Sequence, residues 1–165
     1  MRSWAWVWNA GRRTLRGAHP AFASPDDAWA EEKLATQERD LFRQMDPRER
    51  DHGIRVARAM LKAHPDAARE VVAAALLHDL GKSRRTYNVL ERVLVHLVRA
   101  PQPAAEPQLG GWRGALQVAV HHATYGAAML RTAGAEERVA ELVALHEEPG
   151  EDVEARWIHD ADRRT

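Results

Sequence analysis

Cysteine is absent from all 165 residues. Disulfides, thiolate zinc sites and cysteine nucleophiles are excluded together, so any metal must be held by imidazole and carboxylate. A charge excess of either sign is also missing, since 24 Lys and Arg balance 24 Asp and Glu. That argues against stable nucleic-acid binding, which usually shows a basic excess. Long apolar runs are lacking too. Near the start only Trp4-Ala5-Trp6-Val7-Trp8 qualifies, five residues long, where a membrane span needs about 20. Isoleucine occurs twice and lysine three times, against 21 arginines.

What remains is a helix-forming composition. Ala (30), Arg (21), Leu (15) and Glu (14) make up nearly half the chain, and all four favour helices. An all-α domain follows, and the length suits one compact unit with a single core. Ala21-Phe22-Ala23 has the small residues of a signal-peptidase site, but Arg12, Arg13 and Arg16 fall where an apolar segment should lie. The expectation is a cytoplasmic protein with no export signal, whose Trp-rich start docks as an N-terminal arm.

Capping and breaking residues divide the rest into helices. Ser24-Pro25-Asp26-Asp27 predicts a helix running to about Met45. Asp46-Pro47 opens the next, and His64-Pro65 closes it. Asp66 is the expected cap of a third helix, apolar on every side from Val71 to Leu77, with Gly81 as its C′ residue. Such a helix belongs at the centre of the core. A fourth is expected over about 88–99, before a long loop rich in proline and glycine. Trp112 to His122 and Thr124 to Ala133 are helical, bent or continuous between them, with Gly134 as stop. Ala135 to His146 follows, then a turn at Glu147-Glu148-Pro149-Gly150 and a last helix from about Val153. The total is about seven to nine helices, with residues 1–45 an N-terminal helical extension and 46–165 the principal domain.

The chemistry concentrates where these helices end. His78-Asp79 directly follows seven apolar residues, and a carboxylate entering a core helix costs several kcal/mol unless a cation compensates it. An arginine partner or a metal ion can do so. His52 lies on the preceding helix, His121-His122 ends one apolar stretch, and His146 ends another. Separate helices thus deliver imidazole at the ends of apolar runs, the pattern of a site assembled between bundle helices. Imidazole with carboxylate and no thiolate suits iron, manganese, zinc or cobalt.

The order His52, then His78-Asp79-Leu80-Gly81-Lys82, then Asp160-Ala161-Asp162 resembles the HD-domain superfamily of metal-dependent phosphohydrolases. His122-Ala123-Thr124-Tyr125-Gly126-Ala127 and the later His146 resemble its subset with an H…HD…H…H…D pattern. The resemblance covers roughly residues 50 to 165 and implies a helical core carrying two divalent transition-metal ions. Iron or manganese is expected first, with zinc, cobalt or nickel also suitable. Position by position, it implies a first ion held by His52, His78, Asp79 and Asp162. Asp79 would bridge to a second ion completed by His122 and His146. A water shared by two such ions becomes a hydroxide nucleophile at neutral pH. Within each ambiguous pair the same resemblance selects His122 over His121, by the Gly126-Ala127 that follows, and Asp162 over Asp160, by the preceding Ala161. Helix geometry alone leaves Asp160 and Asp162 equivalent.

Lys82 stands three residues past Asp79 and is either a solvated helix-end lysine or a substrate-phosphate contact. Arg84 and Arg85 follow as a candidate phosphate clamp. His19, His64 and His159 read as surface residues, His96 as part of a helix face, and Tyr125 as a helix residue whose hydroxyl reaches water. The implied activity is hydrolysis of a phosphate ester or anhydride in a small phosphorylated molecule, a nucleotide above all. Two alternatives stay open: a non-catalytic metal-stabilised regulatory module, and a di-iron HD-type oxygenase.

Overall fold

The computed structural model describes residues 23–85 and 103–165. The Trp-rich start, the helix expected over 88–99, His19 and His96 lie outside the described residues. Among the described residues there are seven α-helices, one 3₁₀ segment and no strand, which is the all-α architecture that the composition predicts.

The first expected helix is in fact two. Asp26 caps α1 (Asp27–Glu31), its carboxylate accepting the Trp29 N–H at 3.3 Å. The chain then turns, with Lys33 and Leu34 N–H groups bonded to the Ala30 and Glu31 carbonyls at 3.0 and 3.4 Å. Ala35 is extended, and α2 (Thr36–Gln44) begins anew. The break is held by Glu38, whose carboxylate accepts the Ala35 N–H at 2.7 Å. Glu38 is fully buried and receives the Arg69 guanidinium at 2.8 Å. A partner 31 residues away supplies what the local sequence does not show.

Asp46 and Pro47 open α3 (Pro47–Ala63) as predicted, the Asp46 carboxylate accepting the Arg48 N–H at 2.9 Å. Proline at N1 sacrifices no intrahelical donor. Asp66, in contrast, caps nothing. The Ala67 N–H bonds to the His64 carbonyl at 3.1 Å and closes a turn, so α4 (Arg69–Leu77) starts beyond Ala68. Every residue of α4 from Val71 to Leu77 is buried, which makes it the central helix.

Helix α5 (Gly111–Thr132) is continuous through Ala123, and Gly134, at φ +73°, stops it. Then come α6 (Glu137–Leu145) and α7 (Val153–Arg164). Asp152 caps α7 by accepting the Ala155 N–H at 2.9 Å. Around α4 pack α3, α6 and α7, while α5 packs on α6 and on the 3₁₀ segment Leu80–Arg84. Leu41 and Phe42 of α2 and Ala30 of α1 join the same core as Leu76, Leu142 and Ile158.

Gly81 does not act as a C′ residue, because it has no left-handed φ. Its role is close approach. A Cβ at Gly81 would stand 2.0 Å from the His122 carbonyl oxygen and 2.7 Å from the Gly126 nitrogen, both backbone atoms of α5. At Gly53 of α3 a Cβ would stand 2.5 Å from the Leu76 carbonyl oxygen of α4. Two helix contacts therefore run backbone to backbone, and each adjoins a histidine-bearing turn. Gly81→Ala should cost about 3 kcal/mol, the upper end of overpacking penalties. The measurement is urea unfolding, where the midpoint should fall at unchanged slope.

Candidate metal centre

The contacts made without side chains at Gly53 and Gly81 draw α3, the end of α4 and the middle of α5 together. His52 (α3) and His78, the residue after α4, then face Asp162 (α7), while Asp79 faces His122 (α5) and His146, the residue after α6. The His52 Nε2 lies 2.8 Å from Asp162 Oδ1. His78 Nε2 is 3.5 Å from Asp79 Oδ2 and 3.9 Å from Asp162 Oδ1. On the other side, His122 Nε2 is 3.4 Å from Asp79 Oδ1 and 3.3 Å from His146 Nε2. His78, Asp79, His122 and His146 are all buried. In each of three sets the donor atoms lie within 4.8 Å of one another: His52, His78 and Asp162; His78, Asp79 and His146; His122, His146 and Glu147.

Backbone hydrogen bonds decide which ring nitrogen faces inward. His78 Nδ1 pairs with the Ala75 carbonyl at 2.9 Å, His122 Nδ1 with Ala119 at 2.9 Å, and His146 Nδ1 with Val143 at 2.8 Å. A carbonyl only accepts, so each Nδ1 carries a proton and each ring turns Nε2 inward. Burial, reinforced by neighbouring His78, lowers the His146 pKa to about 4, so this ring is neutral at neutral pH. Two ring nitrogens 3.3 Å apart need a proton or a metal ion between or beside them. The buried His78 Nε2 has no hydrogen-bond partner at all. Orphaned, inward-facing nitrogen donors beside carboxylates fit a divalent transition-metal ion.

The carboxylates need positive charge for the same reason. Burial alone would raise the Asp79 pKa. Lys82 and the imidazoles of His78, His122 and His52 outweigh it and hold the carboxyl well below the usual range. Lys82 Nζ sits 2.7 Å from Asp79 Oδ2 with 30% of its side chain exposed. Burial would lower the Lys82 pKa, but Asp79 and Glu49 raise it and keep the ammonium charged.

Other expected residues fall at varied distances from this cluster. Arg84 pairs with Glu106 at 2.8 Å and lies over the Tyr125 ring, 4.2 Å from its centroid. Arg85 donates to the Gly111 carbonyl at 2.6 Å. His121 turns to the Pro103 carbonyl, 2.8 Å away, and Asp160 is exposed. Three surface readings are corrected. Tyr125 is buried, and its hydroxyl donates to the Ala105 carbonyl rather than to water. His64 stacks on Trp157 at 4.0 Å, because α7 crosses the end of α3. His159 Nδ1 bonds the His146 carbonyl at 2.9 Å. Glu147, read in the sequence as part of a turn, brings Oε1 to 3.3 Å from His122 Nε2. Its adjacency to His146, matching that of Asp79 to His78, was the available signal.

Divalent ions should therefore stabilise the fold. A hundredfold excess over the dissociation constant is worth about 2.7 kcal/mol, or roughly 5–10 °C in Tm for a chain of this size. Thermal unfolding with Mn²⁺, with and without chelator, checks this, and an unchanged Tm would contradict it.

A family model described as the HD domain matches residues 50–165. No curated protein and no solved structure matches the chain. The family match spans well over half of the sequence and includes His52, the His78-Asp79 pair, His122, His146 and Asp162, and the chain belongs to the HD-domain family.

Proposed function

We propose that this protein is a metal-dependent phosphohydrolase that cleaves a phosphate ester or anhydride in a small molecule, most suitably a nucleotide. The observation that carries the reading is the environment of Asp79. Its two oxygens face different imidazoles, Oδ1 towards His122 and Oδ2 towards His78, at 3.4 and 3.5 Å. A carboxylate so placed is suited to bridge two cations, and two cations offset its burial cost.

In this reading His52, His78, Asp79 and Asp162 hold the first ion, while Asp79, His122 and His146 hold the second. Iron or manganese suits this donor set first, and zinc, cobalt or nickel would also fit. Bound there, the pair of ions supplies charge neutralisation at phosphorus and a water acidified for attack. The protein's own residues place and neutralise. Lys82, partly exposed above Asp79, is positioned to exchange that carboxylate for a substrate phosphate oxygen. Arg84 and Arg85 attract the anion from the same 3₁₀ segment and its end, once released from Glu106 and the Gly111 carbonyl.

Residues 46–165 form the catalytic unit in this proposal, and 1–45 the extension, whose Ala30, Leu41 and Phe42 pack into the shared core. No helix among the described residues is long and apolar enough to cross a membrane. A small phosphorylated substrate in the cytoplasm, rather than nucleic acid, is the proposed setting.

The test is phosphate release from a nucleotide panel, with Mn²⁺ or Fe²⁺, after elemental analysis of protein made without a metal-binding tag. Asp79→Asn keeps the shape but loses the bridging charge, and activity should fall below about a tenth of wild type. Higher residual activity in metal-saturated Asp79→Asn would remove Asp79 from the bridge. Lys82→Ala should lower kcat about 100-fold, the cost of one oriented donor, with metal content unchanged. Asp162→Asn should reduce both metal content and activity while Asp160→Asn changes neither; the reverse pattern would move the ligand half a turn earlier.

A further inference from the structure

We propose that Glu147 is a ligand of the second ion, supplied by the solvent-facing rim of the centre; this rests on the two-ion reading above. The Glu147 Oε1 lies 3.3 Å from His122 Nε2 and 3.7 Å from His146 Nε2. Both Nε2 atoms face it, because both Nδ1 atoms are committed to backbone carbonyls. Oε1 and the two nitrogens therefore converge on one position, within 4.8 Å of one another. Two imidazole nitrogens and a carboxylate oxygen so convergent make a donor set that a divalent cation completes.

The backbone is arranged to keep Glu147 there. His146 has helical dihedrals (φ −60°, ψ −29°) at the end of α6, just as His78 does (φ −56°, ψ −34°) at the end of α4. In both places an inward imidazole is followed at once by a carboxylate. The peptide joining His146 to Glu147 is pinned through its carbonyl by His159 Nδ1 at 2.9 Å. That bond comes from α7 and restrains the turn from which the Glu147 side chain leaves.

Charge gives the reason for a further carboxylate. The proposed first position has Asp162 to itself, whereas the second has only a share of Asp79 and two imidazoles. Glu147 provides the second ion with an anion of its own. With 55% of its side chain exposed, it sits where an incoming phosphate would arrive and can swing aside for it.

Mn²⁺ titration of the metal-free full-length protein, followed by electron paramagnetic resonance, tests the assignment without an activity readout. Wild type should bind two ions and show an exchange-coupled signal. Glu147→Gln should weaken the second ion by about tenfold or more, leave the first unchanged, and replace the coupled signal by that of isolated Mn²⁺ at the same loading. Glu148→Gln removes the same charge one residue away and should leave both ions as in wild type. His122→Ala marks the loss of the second position, and circular dichroism confirms folding of each variant. If His122→Ala loses one ion but Glu147→Gln binds two as tightly as wild type, the Glu147 assignment alone falls. Equal weakening by Glu147→Gln and Glu148→Gln would reduce the effect to general charge and also overturn it. Should wild type bind fewer than two ions, the two-ion reading fails and takes this inference with it.

Discussion

A carboxylate buried at the end of an apolar helix is the constraint on which this structure turns. Asp79 is 2% exposed, and an uncompensated charge there would cost several kcal/mol. The surrounding helices answer it with imidazoles on both oxygens and an ammonium at 2.7 Å. Those groups arrive from the end of α4, from α5 and from the 3₁₀ segment, and α7 adds Asp162 against His52 of α3. Compensation is therefore a property of the assembled bundle and of no single helix.

Two backbone devices make such an assembly possible. Where Gly53 meets Leu76 and Gly81 meets His122, helices touch without intervening side chains. The histidine-bearing segments then lie closer together than a Cβ at either glycine would allow. The second device is the bond from Nδ1 to the carbonyl three residues back, made by His78, His122 and His146 alike. Made at the ends of α4 and α6 and in the middle of α5, it fixes the ring orientation and turns Nε2 towards the cluster. A cluster of nitrogen donors around a shielded carboxylate is prearranged for a cation, and this links the fold to the chemistry of the family.

Several features were legible in the chain alone because they depend on neighbours in sequence. The apolar run of α4 announces a central helix. Asp46-Pro47 and Gly134 mark helix ends by local stereochemistry, and the structure places those ends there. The histidines at the ends of apolar runs announce a meeting point, and the structure brings His52, His78, His122 and His146 to it with Asp79 and Asp162. Other features depended on partners distant in sequence. Glu38 breaks the first helix because Arg69 meets it in space. Asp66 loses its cap role to a turn closed on His64. Tyr125, polar at its tip and flanked by small residues, reads as solvated until the Ala105 carbonyl is brought to it.

Composition, periodicity and capping chemistry thus determined the helical class, the central helix and the residue types able to hold a metal, because these follow from contacts spanning a few residues. Tertiary structure decided what each polar group faces. It turned Asp162 towards His52 while leaving Asp160 exposed, and sent His121 to the Pro103 carbonyl while burying His122. It also converted Gly81 from an expected turn glycine into a helix contact and carried Glu147 from a surface turn to the rim of the centre. The physical reason is common to all of these. A side chain's direction is set by its own helix, but its partner is set by how closely two backbones approach, and that distance is written only in the packed bundle.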